Sequence, residues 1–394
     1  MEDYNMKKAI AFLLALTMVF VFAACGSPAP AQTDAPKTEA PMTDAPKTEA
    51  PMTEAPMTDA PDDNAEIYIP VVSKGLQHAF WQAVKKGCED AAAEMGVTIE
   101  FNGPASESDI DDQVDMLKGY MEKNPSAVCL AALSTDAVME QLQVCLDKKI
   151  PVVGFDSGVP NAPEGSIYAT AATNNETAAA VAADEIYKHE GGKDALAMGT
   201  ADKPVIIGVL SQDATSDSIV SRTKGFVDKM KALCEEVAPG KVAVQGHEKF
   251  NAPVDGATII IQVQIAATTD DTEVSNAAPA LLNTENLGAV FNSNEGAVTG
   301  FLAATADGSD LADGAKYGDL VVAGFDAGAT QKAAVRNGWF IGSVTQDPYN
   351  IGYKAVELAA KAAKGEAIED VDTGAKWYNA ENIDDEDIAL LVYD

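Results

Sequence analysis

From Ile67 to the end of the chain, short β-branched runs alternate with helical stripes of apolar residues, and that alternation leaves few folds open. Ile67-Tyr-Ile-Pro-Val-Val72 reads as a buried strand. Trp81, Val84, Cys88, Ala91 and Met95 then recur on one helix face, which Gly96 ends. The strand Val97–Phe101 follows, then a helix face of Ile110, Val114, Leu117 and Met121 and the strand Ala127–Leu130. A helix over Val138–Leu146 leads to the strand Pro151–Asp156. The theme restarts at Val205–Leu210, with a helix over 221–234 and a strand at Val242–Val244. Helices near 275–282 and 295–305 precede the strands Ala289–Phe291 and Leu320–Asp326, and a last helix pair lies near 329–337 and 351–364. Such alternation predicts α/β architecture, with parallel sheets covered by helices on both faces. About 330 residues of it exceed one ordinary core, so two doubly wound lobes are expected. Ile259–Ile265 is one strand more than the alternation needs and reads as an added edge strand or hairpin.

One internal echo points to a site. Val152-Val-Gly-Phe-Asp156 closes a strand in the first half, and Val322-Ala-Gly-Phe-Asp326 closes one in the second. Open parallel sheets bind ligands beyond the carboxyl ends of their strands. Two such edges facing across a cleft would bring both carboxylates to one ligand. The same residues also serve as helix caps or turn formers, and the pattern alone leaves both readings open.

Composition excludes several partners. The 394 residues carry 27 basic and 61 acidic side chains, a formal charge of -34, and the only Arg are Arg222 and Arg336. That surface repels nucleic acid. Three His and five Cys without a C-x-x-C pair argue against a zinc module. Cys88, Cys129 and Cys145 read as small apolar groups on packed faces, and His189 and His247 as surface residues. No cofactor is expected.

The first residues read as an address. Met6-Lys7-Lys8 precedes an apolar run over Ala9–Ala24, shorter than the roughly 20 residues of a membrane span and typical of a secretory signal. Its end, Phe22-Ala23-Ala24-Cys25-Gly26, resembles the lipobox of bacterial lipoproteins, with Phe22 where Leu is usual. The resemblance implies a lipoprotein signal peptide over 1–25 whose lipobox Cys25 is lipidated and becomes the new N-terminus once the residues before it are removed. Acyl chains contribute about 0.8 kcal/mol per buried CH₂, enough to anchor the protein to the outer face of a cell membrane when two or three are present. Residues 26–64 repeat Thr-Asp/Glu-Ala-Pro, with Pro at 36, 41, 46, 51, 56 and 61. Pro at that spacing excludes a packed core and favours an extended tether reaching roughly 100 Å.

Residues 65–394 resemble the ribose/galactose-type (type I) substrate-binding proteins of bacterial ABC sugar transporters. The resemblance rests on Val71-Val-Ser-Lys-Gly-Leu-Gln-His-Ala-Phe-Trp-Gln-Ala-Val-Lys-Lys-Gly87, Ile150-Pro-Val-Val-Gly-Phe-Asp156, Arg222-Thr-Lys-Gly-Phe226, Val290-Phe-Asn-Ser-Asn-Glu295, Val322–Asp326 and Gly342-Ser-Val-Thr-Gln346, in that order. It implies two Rossmann-like lobes joined by three chain crossings, near Thr173-Asn174, Gln346-Asp347 and Asp372-Thr373. Lobe one then spans about 65–172 and 347–372, and lobe two about 174–345 and 373–394. It further implies a monomer that closes on a sugar or polyol and docks onto a transporter permease.

Carried over residue by residue, the ligand positions are His78, Phe80, Trp81, Asp156, Ser157, Arg222, Asn294, Asp326 and Gln346. Aromatic faces suit the C–H face of a sugar ring, and carboxylates and amides suit hydroxyls that both donate and accept. Trp81 also heads the apolar stripe of its helix, and the role of Arg222 stays open between structural and ligand-facing. Ser157 stands where the family often has Arg, Val220 where pentose binders carry Arg, and His78 where Asn is usual. The loss of two cationic forks argues against ribose itself. A surface receptor feeding a chemoreceptor or sensor kinase would share all these features. An enzyme using Asp156 and Asp326 as a glycosidase acid pair would need fixed geometry, which mobile lobes do not provide.

Overall fold

The computed structural model describes residues 66–393. The apolar leader, Cys25 and the Pro repeat lie outside the described residues. Within them, no helix is long and apolar enough to cross a membrane.

The first half runs β1 (Tyr68–Val72), α1 (Ala79–Met95), β2 (Thr98–Asn102), α2 (Ile110–Glu122), β3 (Val128–Leu130), α3 (Met139–Lys148), β4 (Val152–Phe155) and β5 (Ile167–Ala172). The chain then passes through α4 (Asn175–Lys188) and α5 (Gly192–Ala197) into a second lobe. There it forms β6 (Val205–Ser211), α6 (Asp217–Val237), β7 (Val242–Gln245), β8 (Ile259–Ile265), α7 (Asp271–Leu282), β9 (Leu287–Asn292), α8 (Glu295–Ala304), β10 (Val321–Phe325), α9 (Ala329–Arg336) and β11 (Gly342–Gln346). It returns to the first lobe for α10 (Pro348–Ala363) and β12 (Val371–Asp372). It ends in the second with β13 (Ala375–Tyr378) and α11 (Glu386–Ala389).

The first sheet has the order β12-β5-β4-β3-β1-β2 and is parallel throughout; the second has the order β13-β11-β10-β9-β6-β8-β7, with β13 alone antiparallel. Strands buried on both faces explain the unbroken apolar runs. Ile69 and Val71 of β1 pack into one core of the first lobe while Val72 packs into the other. In the second lobe, Ile207 and Val209 of β6 face one core and Leu210 the opposite one.

The two connections at Thr173 and Thr373 run side by side. Thr173 Oγ1 donates to the Gly374 carbonyl at 2.9 Å, Asn174 N–H to Asp372 Oδ1 at 3.1 Å, and Thr373 N–H to the Ala172 carbonyl at 3.0 Å. At the middle connection Asp347 caps α10 by accepting from Asn350 N–H at 2.9 Å. Close helix packing in the first lobe depends on two glycines. A Cβ at Gly87 of α1 would sit 2.0 Å from the Tyr349 carbonyl oxygen, and one at Gly352 of α10 would sit 2.0 Å from that of Val84. The backbones of α1 and α10 therefore touch where any side chain would push them apart.

β8 differs from the sequence reading. It is neither an edge strand nor a hairpin arm, but lies between β6 and β7 in parallel register with both. All seven of its residues pair with Val205–Ser211, and Ile259, Ile261 and Val263 are buried in the core. The edge position falls to the short β7. β5 and α4 gave no sequence signal. α4 buries Ala178, Ala179, Ala182 and Ala183, whose methyl groups contrast little with a polar face.

Candidate functional site

Both echoed Asp residues end a strand in left-handed backbone, with φ of 55° at Asp156 after β4 and 77° at Asp326 after β10. That conformation is uncommon for a side chain bearing Cβ, though Asp tolerates it better than most. It turns each carboxylate off the end of its sheet, and both line one cavity between the lobes. Lys74, His78, Phe80, Trp81, Glu107, Ile219, Arg222, Asn294, Glu295 and Gln346 complete the wall. With the lobes drawn together the cavity itself measures about 20 Å³, room for about one water molecule, so a larger ligand enters only when the lobes part.

The lobes are drawn together over it. Lys74 Nζ donates to Ser218 Oγ at 3.2 Å, Gln212 Nε2 to Glu107 Oε2 at 3.0 Å, and Thr215 Oγ1 to the Leu133 carbonyl at 3.1 Å. Each of these bonds joins the first lobe to the second.

On the second lobe the polar groups hold one another. Arg222 is 2% exposed and lies with its guanidinium 4.0 Å from the centroid of the Phe325 ring. It donates to Asn175 Oδ1 at 2.8 Å, the Ser293 carbonyl at 3.4 Å and Asp326 Oδ2 at 3.1 Å. Asp326 also accepts from Glu295 N–H at 3.1 Å and Gln346 Nε2 at 2.8 Å. Asn294 caps α8 by accepting from Ala297 N–H at 3.1 Å, and its amide donates to Gln212 Oε1. These side chains form a braced wall with their charges already satisfied.

The first lobe is less complete. Asp156 Oδ2 lies 3.5 Å from Lys74 Nζ, an ion pair without a hydrogen bond. Burial pushes its carboxyl above the usual range, against the opposing pull of Lys74 and Arg222. Burial alone would discharge Lys74, but Asp156, Glu107 and Asp213 outweigh it and hold the ammonium above its ordinary value. Burial likewise opposes the charge on Glu107, yet Lys74, His78 and bonds from Trp81 and Gln212 keep that carboxyl low. Trp81 Nε1 donates to Glu107 Oε1 at 2.9 Å, and the indole meets Phe80 edge-on at 5.0 Å. Phe80 in turn meets Tyr393 edge-on at 6.1 Å.

Four buried atoms without a hydrogen bond belong to side chains around this one void: Glu295 Oε2, Gln346 Oε1, His78 Nε2 and Asp156 Oδ2, the last with Lys74 as its ion-pair neighbour. Burial raises Glu295 to about 7, with nearby His78 pulling the other way. Among the described residues no group of three or more His, Cys, Asp or Glu is arranged to hold a metal ion.

Eight of the nine residues singled out from sequence meet at this cavity. Ser157 stands apart at the seam between lobes, where its Oγ accepts from Ser218 N–H at 3.3 Å. Lys74 and Glu295 were missed although both lie inside recognised motifs. Glu107 and Gln212 sit in loops that carry no pattern of their own. Cys88, Cys129, Cys145 and Cys234 are buried free thiols.

Comparison with known proteins accords with this geometry. A family model described as a periplasmic binding protein domain matches residues 69–367. The D-allose-binding periplasmic protein of Escherichia coli is 23% identical over 79% of this chain and 90% of its own length. The ribose import binding protein of Salmonella typhimurium is 26% identical over 76% of this chain and 86% of its own. A solved structure from Brachyspira murdochii, titled an ABC transporter, LacI family transcriptional regulator, is 40% identical, with a TM-score of 0.71 over 84% of this chain and all of that one. An ABC transporter solute-binding protein of Agrobacterium vitis, solved with D-fucose, is 26% identical, with a TM-score of 0.67 over 83% of this chain and all of that one.

Proposed function

Because the chain belongs to the periplasmic binding protein family, we propose that it captures a sugar or related polyol between its lobes and delivers it, chemically unchanged, to an ABC transporter permease. The observation that carries this reading is the set of unpaired polar atoms on both sides of one closed cleft. A buried acceptor left unpaired costs about 1–3 kcal/mol, so a ligand that donates to it from within the void recovers that cost. Hydroxyls suit the task, and Phe80 and Trp81 border the same space as apolar surface for a ring. Relatives named for allose and ribose, and a solute-binding protein solved with bound D-fucose, support the ligand class.

The ligand links the lobes, so it favours the closed state only through contacts the open state lacks. Asp156 and Asp326 stand on separate lobes, which suits gripping better than a fixed acid pair. Residues 65–394 are the binding unit, tethered outside the cell by the Pro-rich segment and the acylated Cys25. A thermal-shift screen of the purified protein against monosaccharides and polyols tests the reading. A true ligand at a hundred times its Kd raises apparent stability by about 2.7 kcal/mol. If no member of the panel moves the melting temperature, or if the protein converts a bound sugar to product, the reading fails.

A further inference from the structure

Matching each buried charge in the cleft to its partner leaves one carboxylate over. Asp326 pairs with Arg222 at 3.1 Å and Asp156 with Lys74 at 3.5 Å. Glu107 accepts from Trp81 and Gln212 and lies in the field of Lys74. Glu295 stands on the first turn of α8, with the Phe80 backbone N–H nearby. It forms no ion pair with a described basic side chain, and its Oε2 is unpartnered in the cavity wall. Two more acceptors beside the same void make no hydrogen bond: Gln346 Oε1, which has no partner, and Asp156 Oδ2, whose one neighbour is Lys74 Nζ at 3.5 Å, on side chains each only 2% exposed. Four carboxylates line the cavity against two permanent cations, Lys74 and Arg222. The space therefore asks for hydrogen-bond donors and for positive charge together.

Resting on the sugar-binding reading above, we propose that the preferred ligand is a cationic saccharide, an amino sugar, whose ammonium fills the place of the missing cation at Glu295 Oε2 while ring hydroxyls donate to Asp156 and Gln346. An ammonium brings three donors and a charge, and charge-assisted bonds are about twice as strong as neutral ones. A neutral ligand brings Glu295 no counter-charge and leaves burial favouring its protonated form, so the ion pair with an ammonium is forgone. The carboxyl of Glu295, held near 7 by burial, is poised to ionise when a cation arrives.

Calorimetry at pH 7 on the purified protein separates the possibilities. The probes are D-glucosamine against D-glucose, D-galactosamine against D-galactose and D-mannosamine against D-mannose, with D-glucuronate as the anionic control. At least one amino sugar should bind about tenfold or more tightly than its hydroxyl parent, and D-glucuronate should bind more weakly than D-glucose. Glu295→Gln should abolish the amino preference; should that variant fail to fold, the wild-type panel decides alone. Parents that bind as tightly as their amino counterparts throughout, or a preference that survives Glu295→Gln, overturn the inference and leave the sugar-binding reading standing. If neither kind of saccharide binds, both fall.

Discussion

Asp156 and Asp326 occupy equivalent places in their lobes. Each follows a Gly-Phe pair at the end of a central parallel strand, and each has left-handed backbone. Their surroundings diverge. Asp326 accepts from Arg222, the Glu295 backbone and Gln346, so both oxygens are satisfied without a ligand. Asp156 has one ion-pair neighbour, Lys74 Nζ at 3.5 Å from its Oδ2, and that oxygen makes no hydrogen bond. One lobe thus presents a finished wall and the other an unfinished one. A repeated motif reports where a side chain stands, while the layer behind it decides whether that side chain braces the fold or waits for a guest.

The largest effect should come from breaking the finished wall. Asp326→Ala leaves Arg222 buried, 2% exposed, without its carboxylate. Removing one member of a buried pair costs about 3–5 kcal/mol, so denaturant unfolding should shift by that amount. Asp156→Ala should change unfolding by about 1 kcal/mol or less, since Lys74 keeps Glu107 and Asp213 as neighbours. Equal losses in the two variants would erase the contrast between the lobes.

A pH series sharpens the comparison next. Glu295 faces His78, Asp326 and Glu107, and burial raises its carboxyl from 4.5 to about 7. The folded state then holds a proton that the unfolded chain releases. Its contribution is fully present below about pH 4.5, declines as pH rises and is gone above about 7. The expected loss is on the order of 3 kcal/mol in the ligand-free protein. Glu295→Gln should flatten that part of the profile, read from unfolding midpoints between pH 5 and 8. Wild type and variant falling in parallel would show that Glu295 does not titrate in this window. The raised Asp156 and Asp213 carboxyls act in the same direction and stay in both proteins.

The unfinished wall should show itself in binding. Asp156→Asn keeps the shape and weakens the charged acceptor, so sugar affinity should fall by about 1.5–3 kcal/mol in calorimetry. Wild-type affinity in this variant would remove Asp156 from the pocket.

The alternation of strand and helix was open to reading because both sheets are buried on two faces, which forces apolar runs in nearly every strand. β8 was misplaced because residues 259–265 alternate Ile with Gln in part, the pattern of a half-exposed strand. Its neighbours were settled by pairing with β6 and β7, which only the folded chain reveals. At the site, the echo and the aromatic pair drew attention to residues that do reach the cavity. Their division of labour was hidden. Asn294 is taken up by capping α8 and by Gln212, and Ser157 by the opposite lobe. Such commitments depend on partners 61 to 82 residues away in the chain. Lys74 and Glu295 were within reach, since each adjoins a residue already singled out or lies in the same loop.

The smallest effect concerns closure. The loop before α6 belongs to the second lobe, and Asp213 shapes it by accepting from Thr215 N–H and Ser216 N–H, both at 2.9 Å. From it Thr215 Oγ1 donates to the Leu133 carbonyl at 3.1 Å, and the Thr215 carbonyl accepts from Thr135 N–H at 3.3 Å. These bonds form only when the lobes meet, and they do not involve the cavity-lining carboxylates. Thr215→Val removes the hydroxyl at nearly constant volume and leaves both cores intact. A net hydrogen bond contributes about 0.5–1.5 kcal/mol, so the open–closed balance should shift roughly two- to tenfold toward open. Sugar affinity should fall by a similar factor, since only the closed fraction grips the ligand from both sides. Small-angle scattering should show a larger ligand-free radius that saturating sugar restores, with the unfolding midpoint unchanged. An unchanged affinity together with an unchanged radius would mean that the seam merely follows closure, and that the cleft groups alone set the balance.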